Sequence, residues 1–260
     1  MKSAIVNASL LAISISLPAY AGPFSPAAGQ PGSTAINMND ASITSWATGY
    51  ENYLPGLNVD AIWQTPEKAL GQAQGNSGDI VSLGEGGLIT LTFNDAIVNG
   101  LGNDFAIFEN SFSDTFLELA RVEVSSDGLN FFGFSATSLT PSAIGPFGLL
   151  DPTNIDGLAG KYRQGWGTGF DLELLAGISG LDVFNVGYVR LVDVIGDGSM
   201  FDDFSNPIFD PYETVGSAGF DLDAIGVLNS ATTVVPVPAS IWLFGSGLLA
   251  LISIRKRKHV

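Results

Sequence analysis

Asp221 and Asp223 alternate with Phe220 and Leu222 in the stretch GFDLDAIG, so on an extended strand both carboxylates face one way. Glu118 lies within FLELA on the face shared by Ala120 and Val122, and Glu109 and Asn110 close the run FAIFEN. Carboxylates turned inward from strands are costly to bury unless something compensates their charge. Arg121 or Arg190, a metal ion, or backbone amides of nearby turns would serve. Calcium takes roughly six to eight oxygens from carboxylates, amides and carbonyls. Glu109, Asn110, Glu118, Asp221 and Asp223 would include its ligands if they converge on one sheet edge. A second acidic set, Asp193, Asp197, Asp202 and Asp203, continues to Asp210 and Glu213 with Asn206 between. It reads either as an alternative calcium loop or as a solvated acidic loop. It is not an EF-hand, because D-x-[DN]-x-[DN]-G is absent.

The same side chains admit another chemistry. Two carboxylates flanking a sugar suffice for glycoside hydrolysis without His or Cys, and Glu109 or Glu118 with Asp223 would be the pair. No glycosidase strand motif such as E-x-D-x-x-E is present, so the primary reading assigns no catalytic residue. Trp166 in QGWGTGF, with Tyr162 nearby, offers aromatic rings among glycines on which a sugar would stack; otherwise the indole plugs the end of the fold. A structural protein with no ligand is the third reading.

Composition narrows these choices. The chain has no cysteine, and its single histidine is His259, next to the last residue. Disulfides, thiolate catalysis, Ser-His-Asp triads and His- or Cys-ligated zinc are therefore excluded from the body of the protein. Half of the ten basic residues sit at the two ends, as Lys2 and Arg255, Lys256, Arg257 and Lys258. All 26 acidic residues lie between them, so five basic against 26 acidic residues leave the middle at −21. Such a surface repels nucleic acid and suits divalent cations.

The elements that would position these groups read as strands. GGLITLTFNDAI places Ile89, Leu91 and Phe93 on one face, with Thr90, Thr92 and Asn94 opposite. FLELARVEVSSDG sets Ala120, Val122 and Val124 against Arg121 and Glu123. GYVRLVDVIGDG sets Val189, Leu191 and Asp193 against Arg190, Val192 and Val194. NDFAIFEN and GFDLDAIGVL complete five strong strand candidates. Helix signals are short, at 45–50, 65–70 and 171–176. With 32 glycines and 13 prolines punctuating short runs, the spacing predicts an all-β antiparallel sandwich spanning 34–230. A flexible lead at 22–33 precedes it.

The two ends read as addresses. Lys2, an apolar run from Ala4 to Leu17, and Ala19-Tyr20-Ala21 form a secretory signal over residues 1–21, leaving Gly22 as the new N-terminus. Within the tail at 231–260, the uncharged stretch 239–254 would span about 24 Å as a helix, short of a hydrocarbon core of about 30 Å. The basic cluster at 255–258 keeps the following end cytoplasmic. This order of elements resembles the PEP-CTERM sorting signal of Gram-negative bacteria. Pro236, Val237 and Pro238 stand at its Pro-Glu-Pro position, with Val237 replacing Glu. The resemblance implies an exosortase as partner, a transient C-terminal membrane anchor at the inner membrane, and final delivery to the cell surface or extracellular matrix. It also implies an association with exopolysaccharide and biofilm.

A second resemblance covers most of 103–228. NDFAIFEN, ELARVEVSSDGLNF, LAGKYRQGWGTGFDL, VRLVDVIGDG and GSAGFDLDAIGVL are similar to phrases of domains often found on such tails. It implies a jelly-roll, galactose-binding-like sandwich of the kind that frequently holds calcium or carbohydrate. The expected molecule is an exported binding or structural protein, with extracellular polysaccharide as its partner and a glycoside hydrolase as the alternative.

Overall fold

A computed structural model describes residues 22–231. The signal segment with Ala19 and Ala21, and the sorting residues Pro236, Val237, Pro238, Arg255, Lys256, Arg257 and Lys258, lie outside the described residues. In chain order the strands are β1 (Ile36–Asn37), β2 (Ser45–Trp46), β3 (Gly49–Leu54), β4 (Val81–Ser82), β5 (Leu88–Ile97), β6 (Phe105–Glu109), β7 (Ala120–Ser125) and β8 (Phe132–Gly133). They continue as β9 (Thr137–Ser138), β10 (Ile155–Asp156), β11 (Trp166–Phe170), β12 (Val186–Asp193), β13 (Asp197–Phe201), β14 (Pro207–Phe209) and β15 (Asp221–Val227).

Two antiparallel sheets enclose the main core. One runs β1-β11-β6-β15-β2, with β4 also paired to β15; the other runs β3-β5-β12-β7-β8. The alternation read from the sequence is what the sheets use. Ile89 and Leu91 of β5, Val122 and Val124 of β7, and Val189 and Leu191 of β12 are buried in a cluster with Phe105, Ile107, Leu222, Ile225 and Val227 of the first sheet. Each side chain of this size contributes about 1.5–3 kcal/mol when fully buried. Phe105, Phe134 and Phe170 pack as a ring trio with centroids 5.0–5.9 Å apart. This is an all-β architecture of sandwich type. No helix of the described residues is long and apolar enough to cross a membrane.

One irregularity decides where a predicted site residue goes. The register of β15 against β6 shifts between Leu222 and Ala224, leaving Asp223 as an extra residue in a β-bulge. The bulge explains how Leu222 and Ile225, an odd interval apart, both reach the core. Asp223 is consequently engaged by the loop before β4, where its two oxygens accept from Gln74 N at 2.9 Å and Gly75 N at 2.8 Å.

The segment 45–50, read as a helical turn, is instead extended. Ser45 and Trp46 pair with Val227 and Gly226, and Gly49 and Tyr50 pair with Thr92 and Leu91. Cross-strand pairing on two sheets outweighs the weak local helix preference. The other two signals appear as single 3-10 turns, Pro66–Ala69 and Leu172–Leu175. The lead 22–33 contains no strand, yet it is bonded to the domain: Gly22 N donates to Thr153 Oγ1, and Phe24 N donates to Thr153 O.

Candidate functional site

β6 and β15 are antiparallel neighbours, so the end of one and the start of the other share a sheet edge. Glu109 is opposite Leu222 there, one residue from Asp221. Asn110 and Ser111 follow Glu109 off the sheet, and Ser111 N donates back to the Glu109 carboxylate at 2.8 Å. Glu118 arrives from the connection to β7, two residues before that strand begins. The backbone that follows it is fixed twice: Leu119 N donates to Asp210 Oδ2, and Ala120 pairs with Ala159. Gly160 makes this approach possible. Its φ is +86°, and a Cβ there would stand 1.9 Å from the Glu118 carbonyl oxygen.

These groups form the floor of a cleft of about 430 Å³. Glu109, Asn110, Glu118 and Asp221 line its base, while Phe112, Phe116, Phe147 and Trp63 supply aromatic walls. The Phe112 and Phe116 rings are stacked, with centroids 4.7 Å apart. Phe112 is 67% and Phe147 84% exposed, whereas Glu118 is only 6% exposed. The site is therefore wet and apolar at its mouth, and dry and acidic at its base.

Burial raises all three acids. Glu109 is pushed well above the ordinary carboxylate range by desolvation first and by the Asp221 charge second. Glu118 rises likewise through burial, then through Asp221, Glu109, Asp210 and Asp193. Asp221 is lifted by burial to about 7, against hydrogen bonds from Ser82 and Ser217 that favour its ionised form. The arginines anticipated as partners are elsewhere. Arg121 pairs with Asp203 at 2.8 Å, and Arg190 pairs with Glu123. Both stay on the solvent faces of their strands.

The remaining predicted residues are dispersed. Asp223 is bound by the loop amides described above and does not line the cleft. Asp193, 1% exposed, joins the sheets by accepting from Gly86 N and Phe220 N. Asp197 caps Ser199 N, Asp202 accepts from Ser138, Phe204 and Asn206 backbone amides, and Asp203 accepts from Ala136 N. Asp197 closes its own turn, Asp202 closes its own turn and also holds Ser138, and Asp193 and Asp203 tie distant segments to their strands. Tyr162 is 2% exposed, with its hydroxyl bonded to Ser25 and Thr34, so its ring is no open stacking face. Trp166 is half-buried on β11 against β1.

For the calcium expected from the sequence, the donor types fit and the spacing does not. Asn110 Oδ1 is buried with no hydrogen-bond partner, as a ligand oxygen would be. Among the described residues, however, no group of three or more His, Cys, Asp or Glu could hold a metal ion.

The aromatic walls were not anticipated. Phe112 and Phe116 stand four apart in the connection SFSDTF, and Phe147 comes from another loop entirely. Phenylalanines in such connections between strands are the available signal, since loops seldom spend aromatics without burying or using them.

No curated protein matches the chain. Residues 234–258 match the family model of the PEP-CTERM protein-sorting motif. The chain thus ends in a PEP-CTERM sorting motif, the mark of an exported protein that an exosortase processes at the membrane.

Proposed function

We propose that this protein is delivered to the cell surface or extracellular matrix of a Gram-negative bacterium, where its β-sandwich binds extracellular polysaccharide. The observation that carries the reading is the cleft at the β6–β15 edge, with exposed aromatic faces at its mouth and hydrogen-bonding groups at its base. Sugars stack on such rings while their hydroxyls reach polar groups behind them. A jelly-roll, galactose-binding-like wiring is the fold reading that accompanies this proposal.

Hydrolysis is the alternative. Asp221 takes the place first given to Asp223, because Glu109, Glu118, Glu213 and Asp221 are the acids lining the cleft. Acids raised by burial suit a proton donor, while hydrolysis also needs one ionised partner.

A glycan array probed with the full-length protein in detergent tests the proposal. Binding without release of reducing sugar supports it. Turnover that disappears in Glu118→Gln establishes the hydrolase instead, and inertness in both assays leaves a purely structural protein. Calcium is examined in the same preparation: unchanged melting on adding EDTA excludes a structural calcium ion.

A further inference from the structure

We infer that the cleft takes a saccharide carrying a free primary amine, with its ammonium group on the acidic floor and its ring against the aromatic wall. The inference rests on the polysaccharide reading above and names the class of sugar.

The floor carries three carboxyl groups and one carboxamide. Glu109, Asn110, Glu118 and Asp221 line it, and no Lys or Arg among the described residues reaches it. Arg121, Arg163 and Arg190 are engaged by Asp203, Asp114 and Glu123. A cationic ligand would therefore meet no competing positive charge there. Asn110 supplies the independent sign of a missing donor: the residue is 7% exposed, and its buried Oδ1 has no partner. An acceptor left so is costly until a donor arrives.

An ammonium group meets each requirement. It offers three donors and one charge in the volume of a single heavy atom. Unlike a metal ion, it does not need three oxygens drawn to one point, which is the geometry these acids lack. The wall favours the same charge, because cations are attracted to the faces of aromatic rings. A neutral sugar brings donors but no charge that would favour ionisation of the three acids. An N-acetylated sugar brings an amide and no charge.

The experiment compares three short oligosaccharides of one backbone with the full-length protein in detergent: the free amine, its N-acetylated form and the neutral hydroxyl form. The expected result is affinity for the free amine at least about tenfold above the other two. Binding at pH 6 releases protons from the floor, which calorimetry in buffers of different ionisation enthalpy reads directly. Glu118→Gln lowers both affinity and proton release. Phe112→Ala, on the exposed rim where folding is not at stake, lowers affinity alone.

Equal affinity for the neutral or N-acetylated forms overturns the amine inference and leaves the polysaccharide reading standing. Failure of all three sugars overturns both. A lysine-rich peptide that binds as tightly as the amine sugar, or calcium chloride that displaces it at equal concentration, also overturns the inference.

Discussion

Asp221 is the strongest charge acting on Glu109, although the two acids sit on different strands and neither was placed there by local sequence. Their proximity follows from the antiparallel pairing of β6 with β15, which brings the last residue of one beside the first of the other. Desolvation raises both, the Asp221 charge raises Glu109 further, and both acids hold their protons more tightly than free carboxylates do.

Stability should fall as pH rises from about 4 to 7. Glu109, Glu118, Asp193, Asp210 and Asp221 are all raised in the fold. Their stabilising contribution is complete below the unfolded value near 4 and disappears as pH climbs through the folded value, about 7 for Asp221. Each tenfold change in proton affinity is about 1.4 kcal/mol, so Asp221 alone, raised from 3.8 to about 7, loses about 4 kcal/mol over this range. Asp40, Asp127, Asp197 and Asp202 are lowered, and their contribution is already complete above pH 4. Thermal melting should give a higher Tm at pH 5 than at pH 8, and Glu118→Gln should flatten the difference. A Tm that rises across that interval contradicts the assignment.

Gly160→Ala should disturb the cleft without touching it. The new methyl meets the Glu118 carbonyl at a left-handed backbone position, costing about 2 kcal/mol or more. Denaturant melts should register that loss, and ligand affinity should drop with it. Unaltered affinity would show that Glu118 is not held by this contact.

Asp104 should be among the most sensitive positions remote from the cleft. It is fully buried and accepts from Gly100 N, Leu172 N and Asn229 Nδ2 at 2.7–2.8 Å. Asp104→Ala orphans three donors and should cost about 3 kcal/mol or more in urea unfolding. A loss below 1 kcal/mol would mean that water replaces the carboxylate.

Sorting makes a covalent prediction. Mass spectrometry of the surface form should find a C-terminus lacking RKRKHV, whereas a strain without the exosortase should accumulate the longer chain. An intact basic end on the mature surface protein would contradict processing at the motif matched over residues 234–258.

Much of the sheet framework is written in period-two alternation. Val189, Leu191 and Asp193 are buried while Arg190 and Val192 are half-exposed, as their order dictates. The inward carboxylates were legible for the same reason: Glu109 and Asp221 fall on strands, and an acid among core positions is conspicuous. Asp223 was misplaced because a bulge leaves no mark in a single sequence; FDLDA reads as uninterrupted alternation. The helical reading of 45–50 failed because two separate sheets claim that segment through pairings far away in sequence. The arginines followed their local strand faces outward. The cleft walls depend on long-range topology, and Phe147 reaches them from a loop that nothing in its neighbourhood links to Phe112.

β15 also fixes which way the domain points. It begins at the cleft with Asp221 and ends at Val227, about 20 Å away at about 3.3 Å per residue. Just beyond, Ser230 bridges Ile97 and Ala231 N donates to Ala96 O at 2.9 Å, so the chain stays stitched to β5 until residue 231. The sorting motif starts at residue 234. The described chain thus leaves the sandwich at the pole opposite the cleft, three residues before the sorting motif begins.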